Sequence, residues 1–141
     1  MKKTTLPIEI IKLGDENSFH LLVRGSINGK KYDLLIDTGA SHTIFDATLI
    51  PETPDLDISN IQSAGIQAGE LKCSFGHIGK FKLGGMKRKN WTVILIDLTH
   101  VNELYKKFSK KRVAGLIGGD FLLKHKATID YKRRELVLRK I

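Results

Sequence analysis

The residues best suited to chemistry lie at 34–41, where three apolar residues run directly into Asp37 and a glycine-bearing turn. The apolar run is typical of a buried strand, and it brings the Asp37 carboxylate to the point where core meets surface. Gly39 allows the backbone to turn sharply and another group to approach closely. A carboxylate in this position can serve general acid-base chemistry. It can equally form an ordinary Asx turn at the end of a strand.

Other catalytic patterns are missing from the sequence. Neither Cys73 nor any serine lies in a nucleophile-elbow pattern, and the five histidines show no metal-ligand spacing. The glycine-rich segment 115–119 lacks the Lys-Ser/Thr pair that completes a phosphate-binding loop. We therefore expect no metal and no cofactor.

A pair of carboxylates remains as the available chemistry, but the chain supplies one half of it. Asp37 lies in a single Asp-Thr-Gly sequence, and the superficially similar segment 96–99 has no glycine on which to turn. A two-fold axis beside Asp37 would place this residue against its own copy. Catalysis by a pair of carboxylates would therefore require a homodimer.

A hairpin is predicted to hold Asp37 in place. Residues 19–27 are rich in strand-forming types, and Asn28-Gly29 is the strongest short signal for a type I′ turn. The chain would return through 31–36, so that sheet pairing fixes Asp37. Another strand, at 6–13, is predicted before this hairpin.

The remaining strands are predicted from apolar runs and glycine spacing. Residues 41–50 suit a short strand or one helical turn, and 91–96 a buried strand. Glycine recurs through 58–83, which favours long hairpins with a mobile tip at 65–69, or a plain meander. Residues 127–138 read as a closing hairpin.

One clear amphipathic helix is predicted after the strand at 91–96. Its start can be capped by Thr99, and basic residues follow its end, where they suit the helix dipole. The helical stripe, interpreted as facing the core, consists of Val101, Leu104, Tyr105 and Phe108. A second apolar strand is predicted from Val113 to a glycine pair, followed by a short helix at 121–125. Like 34–41, it is an apolar run that ends at glycine, but it has no acid at the corresponding place.

Length and composition predict one cytoplasmic domain, residues 1–141. A chain of 141 residues can bury a hydrophobic core without disulfide bonds or a structural metal ion. The basic start is interrupted by Pro7 and Glu9 before a signal peptide could form, and no apolar run reaches membrane-spanning length. Cys73 has no partner for a disulfide, which favours a reducing compartment.

The formal net charge of +9 raises the question of an acidic partner. Three basic triplets, at 87–89, 110–112 and 132–134, lie at expected turns or helix ends and are not interleaved with aromatic residues. We therefore disfavour nucleic acid as a partner. A basic nucleic-acid-binding domain stays an alternative, which the salt dependence of affinity would test.

Three features together resemble the retropepsin-like aspartic proteases: the sequence at 37–41, the glycine-bearing tip at 65–69, and Leu116-Ile117-Gly118 before a short helix. The resemblance spans about 19–138. It implies an all-β, closed acid-protease barrel with one amphipathic helix insertion and one short helix. It also implies an aspartic endopeptidase that cleaves peptide or protein substrates as a homodimer joined through its active-site face. A catalytically silent peptide-binding module is the alternative.

The same resemblance assigns roles to individual residues. Asp37 of each protomer would hold the attacking water, supported by Thr38, Gly39 and Ala40. Substrate would contact flap and pocket-wall residues, namely Leu35, Gly65, Ile66, Gln67, Ala114 and Leu116. The chain departs from the retroviral pattern at Ser41, where those enzymes carry an acid, and at Gly119, where they carry arginine. The ion pair that supports retroviral dimers therefore cannot form here.

Overall fold

The computed structural model describes residues 2–14, 18–53 and 74–140. Within these ranges the chain forms ten strands and two helices. The strands are β1 (Lys3–Pro7), β2 (Glu9–Lys12), β3 (Phe19–Ile27), β4 (Lys30–Ile36), β5 (Ile44–Asp46), β6 (Ser74–Leu83), β7 (Met86–Ile96), β8 (Val113–Ile117), β9 (Thr128–Asp130) and β10 (Glu135–Arg139). The helices are α1 (Thr99–Ser109) and α2 (Gly119–Lys124).

Six of the strands close into a barrel, in the order β3, β4, β8, β5, β7 and β6, with β6 returning to pair with β3. Strand β2 is added outside the barrel on β3, and β1, β10 and β9 form a separate three-stranded sheet. The apolar faces of the barrel strands meet in one large core cluster. The prediction of an all-β closed barrel is confirmed, and the described residues contain one amphipathic helix and one short helix, as expected.

The hairpin of β3 and β4 forms as predicted. Asn28 and Gly29 have φ angles of 50° and 86°, the positive values that both central positions of a type I′ turn need. Ile27 therefore pairs directly with Lys30. Farther along, Leu34 is fully buried opposite Val23, so the strand that leads to Asp37 is anchored in the core.

The single first strand predicted at 6–13 is wrong. Two strands form instead, because Pro7 has no backbone N–H and the chain changes sheets beside it. The Ile8 backbone N–H donates to the Arg134 carbonyl oxygen at 2.8 Å, after which β2 pairs with β3. Strand β1 pairs with β10, so both ends of the described chain lie in the same small sheet.

The prediction that helix α1 turns its whole apolar stripe to the core is also wrong. Tyr105 is 1% exposed, but Leu104 and Phe108 are 47% and 44% exposed. Helix α1 packs against β2 and β8 at the outside of the barrel, where a single side chain of this stripe is fully enclosed. Thr99 is the first helical residue and no cap, since its backbone N–H and hydroxyl both donate to the Asp97 carboxylate.

Other predicted elements form with altered bounds. The segment 41–50 contains the short strand β5, and the closing hairpin forms from β9 and β10. Strand β7 begins five residues before Trp91, because the turn after Leu83 lets that residue pair with Met86 and extends the hairpin with β6. The predicted tip at 65–69 lies outside the described residues.

Candidate active site

Asp37 lies directly after β4, partly buried, in a turn whose backbone is hydrogen-bonded on both sides. Its N–H donates to the Ile117 carbonyl oxygen at 2.9 Å, which continues the parallel pairing of β4 with β8. One carboxylate oxygen accepts the Gly39 backbone N–H at 3.2 Å, forming the Asx turn that the sequence allowed. In the described part of the chain the second oxygen, Oδ2, accepts no hydrogen bond, so it can bind another molecule.

Strand β8 and the start of α2 support the turn from behind. The Gly119 backbone N–H donates to the Ala40 carbonyl oxygen at 2.7 Å, while the Ala40 N–H donates back to the Asp37 carbonyl oxygen at 3.2 Å. Leu116-Ile117-Gly118 therefore packs behind the Asp37 turn. Because β8 lies between β4 and β5, both sides of this turn are tied to the same strand.

A partly buried hydrogen-bond network around Thr43 joins the two sides of the site. The Thr43 hydroxyl donates to Asp120 Oδ1 at 2.7 Å and accepts the Gly118 N–H at 3.1 Å. The Thr43 N–H also contacts both Asp120 oxygens, at 3.0 and 3.1 Å. This network links the segment after the Asp37 turn to the start of α2. The same two segments carry Ser41 and Gly119, which cannot form an ion pair. Sequence reasoning missed it, although an acid in the first turn of a helix was a visible signal.

Comparison with known proteins places this geometry in a family. The sequence model of a family described as aspartyl protease matches residues 23–121, which include β4, the Asp37 turn, β8 and the start of α2. The chain belongs to the aspartyl protease family. No curated protein matches the sequence.

Two solved structures resemble this aspartyl protease family member in fold. The retroviral protease-like domain of Ddi1 from Leishmania major has a TM-score of 0.50 and 20% identity, and the match covers 86% of this chain and 90% of that domain. A retropepsin-like aspartic protease from Rickettsia conorii has a TM-score of 0.47 and 19% identity, over 98% of this chain and 94% of that protein. The similarity to the Leishmania domain shows that the fold is retropepsin-like.

Among the predicted site residues of this family member, the structure brings together Leu35, 37–40 and Leu116 on the neighbouring strands β4 and β8 and the turn after β4. Thr38 and Gly39 are exposed beside Asp37, and Ala40 is partly buried. Leu35 and Leu116 pair across β4 and β8 and pack against the apolar cluster that contains Tyr105 beneath α1. Their substrate-binding role stays a prediction.

The remaining predicted substrate contacts divide into two groups. Ala114 is 1% exposed and belongs to the barrel core, so the structure does not place its side chain where a peptide can reach it. The reason is a break in the regular pairing of β8 with β4: Asp33 pairs with Val113 and Leu34 with Gly115, so Ala114 is an extra residue. Its side chain lies in the barrel core, whereas Leu116 packs against the cluster beneath α1. The flap residues Gly65, Ile66 and Gln67 lie outside the described residues.

Tyr105 carries a hydroxyl group that is close enough to Asp37 to be affected by its charge. The helical spacing of this residue predicts core packing only. Burial raises the pKa of Tyr105 to about 12, and the negative charge of Asp37 adds to this rise. The Tyr105 hydroxyl contacts His20 Nδ1 at 2.5 Å, and Ser18 Oγ lies 3.3 Å from His20 Nε2. The phenol therefore stays protonated at every pH at which a peptidase would be assayed.

The described residues also bear on two other kinds of site, a metal site and a membrane span. Among these residues, no group of three or more His, Cys, Asp or Glu side chains could hold a metal ion. Neither α1 nor α2 has the length and apolar character of a membrane-spanning helix.

Removing the Thr43 hydroxyl tests the network behind the site. In Thr43→Val the buried Gly118 N–H loses its acceptor and the exposed Asp120 carboxylate loses one of its donors. We expect the free energy of unfolding to fall by about 1–3 kcal/mol, mainly because the Gly118 N–H is left buried without a partner. Urea unfolding measures this change. Thr43→Ser retains the hydroxyl and serves as the matched control. Equal midpoints for the two variants would contradict a structural role for these hydrogen bonds.

Proposed function

We propose that the chain is an aspartic endopeptidase that cleaves extended peptide segments as a homodimer. The observation that carries this proposal is the Asp37 carboxylate, held by the Gly39 N–H through one oxygen at the end of β4. It lies in the Asp-Thr-Gly sequence of a chain that belongs to the aspartyl protease family. Because the sequence contains one such motif, the second carboxylate must come from a second copy.

The proposed chemistry follows from bringing two Asp37 carboxylates together. Two carboxylates at hydrogen-bond range cannot both ionise easily, so the pair shares a proton. The charged member takes a proton from the bound water while the neutral member protonates the carbonyl oxygen of the peptide bond. The Asp37 carboxyl group of each copy changes its protonation state during the cycle. The acid and base roles therefore belong to the pair and are not fixed to one chain.

Substrate would bind as an added strand. An extended peptide supplies backbone donors and acceptors along its whole length, which suits pairing with the strand edges that border the site. The Gly39 carbonyl would bind the peptide backbone, and Gly65, Ile66 and Gln67 would close over it. Closure would exclude water from the two carboxylates and commit the substrate to cleavage.

Dimer formation would use contacts other than the retroviral ion pair, since Ser41 and Gly119 cannot form it. The terminal strands β1 and β10 pair with each other within one chain. In the described part of the chain, β1 and β9 are the outer strands of this small sheet. A two-fold axis at either outer strand would extend the sheet into the second copy.

Sedimentation equilibrium and peptidase activity, measured over the same range of protomer concentrations, test the proposal. Activity per protomer is expected to rise with the dimer fraction, and a pepstatin-type inhibitor is expected to abolish it. A protein that dimerises and binds peptides without cleaving them would instead be the silent peptide-binding module. A protein that stays monomeric at the highest concentration would contradict the two-chain mechanism.

The residue at position 40 sets an expectation for the pH optimum. A serine or threonine hydroxyl there could hydrogen-bond the charged form of the carboxylate pair and move activity to lower pH, but Ala40 cannot. We expect a mildly acidic optimum, and a shift toward acid in Ala40→Ser. The pH profile of kcat/KM measures both. A wild-type profile that peaks below about pH 3 would contradict this reasoning.

A further inference from the structure

A strongly basic cavity lies where the start of β1, the turn between β6 and β7, and the end of α2 meet. Its volume is about 550 Å³. Six permanent cations line it: Lys2, Lys3, Lys87, Arg88, Lys124 and Lys140. Among the described residues that line this cavity there is no acid.

Backbone hydrogen bonds hold the walls of this cavity together. The Lys140 N–H donates to the Lys2 carbonyl oxygen at 2.9 Å, and the Arg139 N–H donates to the His125 carbonyl oxygen at 2.8 Å. At the turn, the Gly85 N–H donates to the Thr4 hydroxyl at 2.9 Å. The cations are therefore gathered by the fold and do not depend on free chain ends.

His125 lines the cavity and is 8% exposed. Its Nδ1 lies 3.2 Å from the Arg139 carbonyl oxygen, which can only accept, so Nδ1 carries a proton. In the neutral imidazole Nε2 is then an acceptor, and it becomes a donor when the ring is protonated. Nε2 is buried and has no hydrogen-bond partner in the part of the chain that the structure describes.

Arg88 is the best-positioned cation of the cavity. Its guanidinium stacks over the Trp91 ring, with Cζ 4.3 Å from the ring centre. Burial lowers the pKa of Arg88, and the charge of Asp120 partly opposes this effect. Arginine nevertheless stays charged in proteins, so the stack presents a fixed fork of N–H donors.

We propose that this cavity binds a compact polyphosphate, a chain of two or three phosphate groups that is either free or the tail of a nucleotide. Six like charges around one concave surface repel each other, and a small multivalent anion would neutralise them. The volume suits a small molecule. A nucleic-acid strand would instead need an extended groove with exposed aromatic rings, whereas Trp91 is covered by Arg88.

His125 would couple this binding to pH. Burial lowers the pKa of His125; the hydrogen bond to Arg139 opposes this, and the charges of Lys124 and Arg88 lower the pKa further. The negative charge of a bound polyphosphate would stabilise the protonated imidazole and offset that repulsion. We therefore expect binding to tighten as the pH falls from 7.5 to 6.

Calorimetric titration of the full chain with inorganic tripolyphosphate, at fixed ionic strength, tests the site. One equivalent is expected to bind. Lys87→Gln combined with Lys124→Gln removes two charge-assisted contacts and is expected to weaken binding by at least about tenfold. Lys106→Gln combined with Lys107→Gln changes net charge equally on α1, away from the cavity. Equal weakening in both double variants, or no binding to the wild type, overturns the proposal.

Three further titrations identify the ligand's chemistry. ATP should bind like tripolyphosphate and adenosine should not bind, because the phosphate chain is what the cations recognise. A single-stranded oligonucleotide that binds more tightly with each added length would overturn the compact-anion proposal in favour of a nucleic-acid surface. Asp37→Asn should bind tripolyphosphate as the wild type does, so this test and that of peptidase function fail independently.

The pH coupling has its own control. Affinity for tripolyphosphate is expected to rise by about threefold or more between pH 7.5 and pH 6 in the wild type, beyond any rise in His125→Gln. Subtracting the variant removes the titration of the probe itself. Parallel pH profiles for the two proteins would overturn the part assigned to His125.

Discussion

Asp37→Asn is expected to lower kcat/KM for peptide cleavage by about a thousandfold or more, because an amide can neither take a proton from water nor share one with its twin. The fold should be unaffected. The asparagine side-chain oxygen can still accept the Gly39 N–H, and the backbone bond from residue 37 to Ile117 does not involve the side chain. Thermal unfolding and sedimentation should therefore match the wild type.

Asp33→Asn provides the matched control for this substitution. Asp33 lies on the same strand and pairs with Arg24 at 3.4 Å, an ion pair whose arginine is well exposed and which contributes little. Its loss should leave kcat/KM within about twofold of the wild type, since exposed ion pairs are weak. Titrating wild-type enzyme with excess Asp37→Asn protein should then reduce activity as mixed dimers form. Retained activity in Asp37→Asn would remove Asp37 from the mechanism.

Gly118→Ala is expected to reduce the free energy of unfolding by about 1–3 kcal/mol, the usual cost of overpacking. A Cβ atom at this position would lie 2.7 Å from the His42 carbonyl carbon and 2.8 Å from the Ala40 carbonyl oxygen. These are backbone atoms, which cannot swing aside as a side chain can. The φ angle of −98° is open to any residue, so Gly118 is needed for this close approach.

The neighbouring glycine offers the control. At Gly119 an added Cβ would meet the Ala40 carbonyl oxygen at 3.4 Å, an ordinary contact. Gly119→Ala should therefore unfold at nearly the wild-type urea concentration, while Gly118→Ala unfolds earlier with an unchanged slope. Activity of the folded Gly118→Ala protein should also fall, because the displaced backbone belongs to the Asp37 turn. Identical unfolding curves for the two variants would contradict the packing argument.

The parts of the fold that sequence predicted well depend on local signals. Asn28-Gly29 specifies its turn through the φ angles it tolerates, and the apolar residues before Asp37 specify burial through their run length. Pro7 is an equally local signal, because it lacks a backbone N–H and divides the strand predicted at 6–13 into β1 and β2. Most of the Asp37 turn could be predicted from the sequence, because a strand, an acid and a glycine are adjacent in the chain.

The parts that sequence could not predict depend on contacts between distant segments. Thr43 and Asp120 are far apart in the chain, and nothing near either residue indicates that they hydrogen-bond. Helical spacing similarly placed Leu104 and Phe108 on one stripe with Tyr105. It could not predict that the outside of the barrel covers Tyr105 and leaves the other two exposed. The cations around His125 come from both ends of the chain and from its middle, so composition alone could not assemble them.

The insertion of β8 between β4 and β5 has a consequence for the order of folding. Ile36 and Ile117 are about 80 residues apart in sequence yet adjacent in the barrel, and such distant pairings form slowly because the intervening loop must first be closed. The β3–β4 hairpin can form early, but the Asp37 turn gains its support when β8 arrives. We expect recovery of peptidase activity after refolding to lag behind recovery of β-sheet signal, so that a newly made chain stays proteolytically silent until its last third has folded.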